Sequence, residues 1–261
     1  MPANAFKARL REGTTQLGLW CSIDDSSVAE MLAGCGYDWL LFDGEHAALD
    51  PLRILPLLQA VAPYDAHPIV RPSSMNVAEI KRLLDFGAQT LLIPYVRDAE
   101  EARLAAAAVD YGPGGVRGVA GITRASRFGA VPDYAARARR EVCLILQLET
   151  IGALDDLEAI AAVPGVDAVF IGPADLAASM GHPGEPSHPD VKRACLGAAD
   201  RLTRLSMPFG FLTLDEAFLG EMVDAGAAFV GIEVDLAALR RGVVDRLASW
   251  RDRTSGADGP V

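Results

Sequence analysis

The 261-residue chain is half apolar, poor in aromatics and carries a net charge of −11, which fits one large α/β domain with a substantial core. The acidic balance excludes nucleic acid and anionic membrane as partners, since both demand a basic footprint. Cys21, Cys35, Cys143 and Cys195 are scattered, the start MPANAFKARLREG lacks an apolar signal segment, and no run approaches the ~18 residues of a membrane span, so the expected compartment is the reducing cytoplasm.

A polar N-terminal helix ends near Gly13, and QLGLWC (16–21) is the first predicted strand. Asp25 and Ser26 offer an N-cap for the helix VAEMLAGCG, which Gly34 and Gly36 close. DWLLF (38–42) is the second strand and runs into Asp43-Gly44-Glu45-His46, with helical spacing after it over 52–61. HPIVR (67–71) and QTLLI (89–93) are the third and fourth strands, followed by helices over 77–86 and 99–109. Residues 111–141 break this rhythm with a Gly- and Arg-rich stretch too long for an ordinary connection, and such segments are functional or interface-forming. Its Gly112-Pro-Gly-Gly does not lie between a strand and a helix, so it is not a phosphate loop and no nucleotide cofactor is expected. The pattern resumes with a strand over 142–148, a helix over 155–162 and a strand over 168–171. A long loop with a helix over 191–205, a strand over 208–212, a helix over 215–224 and an eighth strand over 228–233 follow. The chain closes on an amphipathic helix through Leu236, Leu239, Val243, Leu247 and Trp250. Eight short apolar strands, each followed by a helix, predict a (β/α)₈ TIM barrel, one domain over residues 1–261 with an added N-terminal helix and a C-terminal amphipathic helix.

Catalytic groups of such a barrel lie at the C-terminal ends of its strands. The stretch QLET (147–150) delivers Gln147 and Glu149 there, and FIGPADL (170–176) delivers Asp175 just past the next strand. Two converging carboxylates with no Cys and one nearby His suit a hard divalent ion such as Mg²⁺, Mn²⁺ or Co²⁺ rather than a tetrahedral zinc site. Gln147 shares the inward face with Glu149, two residues away. Trp20 lies at the first strand, Leu212 at the seventh, and Asp235 after the eighth. Arg71, followed by Pro72, offers a permanent cation with a fork of donors for a carboxylate or enolate oxygen. His46 is the available general base at neutral pH, and Asp43, three residues earlier, is placed to fix its tautomer. His67 precedes its strand and belongs to the opposite end, whereas His182 and His188 shape the GHPGEPSHP loop. Lys7, Lys81 and Lys192 all fall on helices or at the N-terminus. No Schiff-base lysine is therefore expected, and carbonyl chemistry would be metal-assisted.

GLW near the start, DWLLFDGEHA, PIVRP, the QLET and FIGPADL pair, and GFL together resemble the HpcH/HpaI family of metal-dependent class II pyruvate aldolases, in order from about residue 16 to 233. The resemblance implies that Glu149 and Asp175 hold the metal and that Arg71 stabilises a pyruvate enolate. It implies that His46, supported by Asp43, is the acid/base, and that the backbone N–H groups of Ala174 and Asp175 bind the substrate carboxylate. Gln147 would lie just behind the metal, and Trp20 and Leu212 would wall the aldehyde side. The substrates would be pyruvate or another 2-oxo acid and an aldehyde, and the assembly a homohexamer with its last helix exchanged between neighbours. One departure is Tyr111-Gly-Pro-Gly-Gly-Val-Arg-Gly, where similar proteins carry YPPxGxRG beside the acceptor. The competing readings are a CoA-thioester C–C lyase of the same superfamily and a non-catalytic keto-acid-binding barrel.

Overall fold

Every other residue of the apolar runs turns inward, and this period of two builds the sheet. The computed structural model describes residues 3–255. Eight parallel strands close in chain order: β1 (Gln16–Cys21), β2 (Trp39–Asp43), β3 (His67–Arg71), β4 (Thr90–Ile93), β5 (Cys143–Leu148), β6 (Ala168–Ile171), β7 (Phe209–Leu212) and β8 (Phe229–Val234). β8 pairs with β1 to shut the barrel, with a register shift between Gly18 and Leu19. The predicted barrel is the observed fold.

Two apolar cores follow from the alternation. One set of side chains, including Trp39, Leu41, Ile69, Ile145 and Phe229, fills the barrel interior. The other, including Leu40, Phe42, Val70, Leu144 and Leu146, meets the surrounding helices. The barrel floor is plugged by α1 (Ala5–Arg9), whose Phe6 stacks on His67 and meets Phe229 edge-on. His67 is half-buried there and its Nε2 lies 2.7 Å from Thr90 Oγ1, so it belongs to the floor as expected. Glycines make room where neighbouring strands supply bulk. A Cβ on Gly18 would overlap the Trp39 indole, and one on Gly210 would overlap the Phe229 ring.

The outer helices start where the sequence places caps. Asp25, Asp50, Asn76 and Asp98 each accept two backbone N–H bonds at the starts of α2 (Ser26–Ala33), α3 (Pro51–Ala60), α4 (Val77–Asp85) and α5 (Ala99–Val109), each cap worth ~1 kcal/mol. Three details differ from the sequence reading. The 111–141 segment ends in a helix, α6 (Tyr134–Glu141), anchored by buried Tyr134 and Ala138 four residues apart. The helix expected over 155–162 is two, α7 (Ile151–Asp155) and α8 (Leu157–Ala161), broken at Asp156, whose carboxylate accepts the Ala99 N–H at 2.8 Å. A further helix, α9 (Pro173–Ser179), follows β6 directly and places Asp175 in its first turn.

The chain continues through α10 (Pro189–Arg204), α11 (Glu216–Asp224) and α12 (Asp235–Ser255). Lys7, Lys81 and Lys192 lie on α1, α4 and α10. The stripe of Leu236, Leu239, Val243, Leu247 and Trp250 on α12 is about half exposed rather than packed on its own barrel. Among the described residues no helix is long and apolar enough to cross a membrane.

Replacing Gly18 with Ala forces a methyl group into the filled barrel interior. We expect Gly18→Ala to lower stability by about 1–3 kcal/mol or more, read as a shifted midpoint in urea unfolding. An unchanged midpoint would mean that Trp39 has room to move.

Candidate active site

Asp43 and Arg71 end neighbouring strands in register, and both side chains point into the barrel mouth because inward positions recur every two residues. The guanidinium donates from Nε to Asp43 Oδ1 at 2.9 Å and from Nη2 to Asp43 Oδ2 at 2.6 Å. Its Nη1 lies 2.7 Å from Glu45 Oε2 and 3.4 Å from Gln147 Oε1. Beneath it, Trp20 presents its ring 4.8 Å from the guanidinium carbon and donates its indole N–H to Asp43 Oδ2 at 3.1 Å. The Arg71 side chain is only 7% exposed, so this fork is rigidly aimed.

On β5, Gln147 donates from Nε2 to Glu149 Oε2 at 2.5 Å, and Tyr95 N–H reaches Glu149 Oε1 at 2.8 Å. Gly172, the residue before α9, gives these side chains room. A Cβ there would stand 2.7 Å from Glu149 Oε2 and 3.3 Å from Gln147 Nε2. Ala174 and Asp175 are exposed in the first turn of α9, which has no side-chain cap among the described residues. Its early backbone N–H groups face outward unmatched by the helix itself. Leu212, at the end of β7, packs half-buried against the interior core beside Gly231.

The electrostatics divide the carboxylates. Burial pushes the Asp43 carboxyl up, but Arg71, the Trp20 N–H and the Glu45 backbone N–H outweigh it and hold Asp43 below its ordinary value. Glu45 moves the other way, because burial and the charges of Asp43 and Asp175 exceed the pull of Arg71 and His46. Glu149 is pushed up to about 7, first by burial and then by Glu45 and Asp175, against the Gln147 hydrogen bond.

Two expected placements change. Asp43 meets His46 through the backbone, accepting the His46 N–H at 3.3 Å and the Glu45 N–H at 2.9 Å. Its oxygens are already engaged by Arg71 and Trp20, so it steadies the turn rather than the imidazole tautomer. The His46 ring is 66% exposed at the rim, with Nε2 3.9 Å from Glu45 Oε2. Asp235 also stays out of the network. It accepts the Ser22 and Ile23 N–H groups at 2.8 and 3.0 Å and ties the end of β8 to that of β1. Sequence reasoning gives Glu45 no role, although it stands between Asp43 and His46 and shares their strand end.

A family model for the HpcH/HpaI aldolase/citrate lyase domain matches residues 16–241. The chain belongs to this family. It is 56% identical to a pyruvate aldolase of Rhizobium etli, over 93% of this chain and 95% of that protein. It is 49% identical to a 4-hydroxy-2-oxo-heptane-1,7-dioate aldolase of Klebsiella pneumoniae, over 92% and 91% of the two. A crystal structure of an HpcH/HpaI aldolase/citrate lyase family protein from Burkholderia cenocepacia superposes with a TM-score of 0.92 at 37% identity, covering 95% of this chain and all of that one.

In an HpcH/HpaI member the mouth of the barrel should suit a hard divalent cation, and the donors here do. The charges of Glu45 and Asp175 raise Glu149, and that of Asp175 raises Glu45, and a cation among them relieves that repulsion. Glu45 Oε2 is buried without a hydrogen bond, since its contact with Arg71 lacks hydrogen-bond geometry. Each Glu149 oxygen retains a lone pair beyond its single hydrogen bond. An all-oxygen set of this kind matches a hard divalent ion held with water.

The raised carboxyl gives a signed pH test. With its value raised from 4.5 unfolded to about 7 folded, Glu149 keeps its proton in the native state after the unfolded chain has lost it. Metal-free protein therefore loses stability as pH rises through that window, and the favourable term is complete only below it. We expect the melting temperature of the metal-free protein to fall with rising pH across this range, and Glu149→Gln to flatten the fall. Parallel curves for the two proteins would contradict the assignment.

Proposed function

We propose that the chain is a divalent-metal-assisted aldolase that cleaves or forms 4-hydroxy-2-oxo acids, with pyruvate or another 2-oxo acid on one side and an aldehyde on the other. The observation that carries this reading is the immobilised Arg71 fork facing the Glu45, Glu149 and Asp175 carboxylates across one barrel mouth. Both named aldolase relatives are similar over nearly their whole length, which disfavours the thioester-lyase and non-catalytic readings.

Glu149 and Asp175 would hold the ion, with Gln147 orienting Glu149 from behind. When bound, the ion would supply Lewis acidity to the 2-oxo acid. The outward N–H groups of Ala174 and Asp175 bind the substrate carboxylate. His46, free at the rim, takes the 4-hydroxyl proton in the cleavage direction as the C3–C4 bond breaks. Negative charge then develops on the 2-oxygen, and Arg71 is already aimed to meet it, so no reorganisation is needed as the bond breaks. Asp43, Glu45 and Trp20 keep that guanidinium from turning away. Returning a proton to C3 gives pyruvate, and the aldehyde leaves past the side bounded by Trp20 and Leu212.

The same reading includes Mg²⁺, Mn²⁺ or Co²⁺ as the ion and a cytoplasmic location, which the free Cys21, Cys35, Cys143 and Cys195 support. It also includes a homohexamer that exchanges its last helices, supported by the uncovered apolar stripe of α12.

The enolate step is testable without knowing the aldehyde. In D₂O, the pyruvate methyl protons should exchange, followed by NMR, when Mg²⁺, Mn²⁺ or Co²⁺ is added to metal-stripped protein and not before. No exchange with any of the three in folded protein would overturn the reading. Arg71→Ala and Asp175→Ala should each lower turnover by about 10²–10³-fold. Glu45→Gln should act through Arg71, lowering kcat more than it raises KM, and near-parental kcat in that variant would remove Glu45 from the network.

A further inference from the structure

Five non-glycine residues among those described adopt positive φ. Arg127, Phe128 and Asp133 lie in the 111–141 segment, and Ser206 follows α10. Tyr95, at φ +55°, instead stands two residues past the end of β4, and its N–H is the one that reaches Glu149. A bulky side chain resists this region of the backbone, and such strain gathers where a site needs a geometry that relaxed chain does not supply. The Tyr95 side chain is about half exposed, so burial of its ring offers little in return.

The ladder between β4 and β5 shows what the strain accomplishes. In a parallel pair, alternate residues of a strand turn their N–H and C=O toward a given neighbour. Gln89, just before β4, faces β5, because its carbonyl accepts the Cys143 N–H at 2.8 Å. Positions 91, 93 and 95 follow in the same series, and the register runs unbroken to Ile93 opposite Leu146. Continued regularly, the ladder would give the Tyr95 N–H to the Gln147 carbonyl. The Val96 N–H takes that carbonyl instead, at 3.1 Å and one residue late. The left-handed turn at Tyr95 is thus a one-residue bulge, a device found at barrel rims and beside active sites. It frees one backbone donor from the ladder, and that donor bonds Glu149 Oε1 at 2.8 Å.

We propose that Tyr95 is a positioning residue, whose left-handed backbone, and not its phenol, spares the N–H that fixes Glu149. Gln147 restrains the other oxygen from β5, with its Nε2 2.5 Å from Glu149 Oε2. One oxygen held from β4 and the other from β5 keep the carboxylate from rotating, and its remaining lone pairs keep one direction. The Val96 N–H meanwhile holds the Gln147 backbone, so a single bulge steadies both Glu149 and the amide behind it. Partners of this kind set the orientation and the affinity of a metal-binding side chain. The effect on the metal rests on the ligand role proposed above for Glu149, whereas the hydrogen bond does not.

The first measurement uses the metal-free full chain and is independent of that ligand role. Hydrogen exchange resolved to single amides should be at least about tenfold faster at Tyr95 in Glu149→Ala than in the parent, with Val96 unchanged. The second is Mn²⁺ affinity. Tyr95→Gly takes positive φ freely and should bind Mn²⁺ within about twofold of the parent. The β-branched Tyr95→Val resists it and should bind about tenfold or more weakly. Equal exchange at Tyr95 with and without the Glu149 carboxylate would overturn the proposal. So would Tyr95→Gly binding as weakly as Tyr95→Val, or folded Tyr95→Val binding like the parent. If the parent binds no Mn²⁺, the ligand role of Glu149 fails, and the exchange comparison alone decides for or against Tyr95. It decides likewise if Tyr95→Val does not fold.

Discussion

A guanidinium cannot shed its charge, so burying Arg71 obliges the fold to surround it with acceptors. Asp43 answers with both oxygens, Glu45 with a third contact, and Trp20 with its π face while its indole N–H donates to Asp43. Removing one partner of such a pair leaves a charge with nowhere to go, a loss of about 3–5 kcal/mol in comparable buried pairs. The neighbours of Arg71 are therefore fixed by the same demand that fixes Arg71. This makes the mouth of the barrel rigid before any ligand arrives.

The barrel supplies that rigidity through periodicity. Trp39, Leu41 and Asp43 are successive inward positions of β2, so a packed interior passes continuously into a polar mouth along one strand. The same run on β5 is Cys143, Ile145, Gln147 and then Glu149. Gly172 is the corresponding concession just past β6, where any side chain would occupy the volume of Glu149. The packed interior fills the lower layers and the polar groups the last one, and the break between them is one inward step of two residues.

What the sequence made legible follows from these periods. The strands announced themselves as short apolar runs, and Asp25 announced a helix because a capping side chain leaves a local signature. Helix α6 did not, since YAARARRE buries only Tyr134 and Ala138 and has no side-chain cap. Helix α9 was hidden because PADLAAS is short and lies where a loop is expected. Arg71, Gln147, Glu149 and Asp175 could be found by position at strand ends. The partner of Asp43 could not, because the choice between the His46 ring and Arg71 is made across strands, and only the β2–β3 register decides it. Glu45 was visible beside Asp43, but nothing local marks a carboxylate as buried against a guanidinium from the next strand.

The charge balance of the mouth completes the argument. Asp43 and Glu45 contact the permanent cation Arg71, and Glu149 and Asp175 add to the negative field beside them, in a protein whose net charge is already −11. Asp43 is satisfied by Arg71 and keeps its charge, whereas Glu45 and Glu149 are held toward their neutral forms. An anionic 2-oxo acid entering this field meets repulsion that Arg71 alone does not offset. In the proposed mechanism a divalent ion reverses the sign at the point of contact, so the features that make Glu149 a reluctant carboxylate make it a willing ligand. On that reading the acidity of the mouth is the counterpart of the cation it would hold, and Arg71, steadied by its own carboxylate partners, would be left to the substrate oxygen.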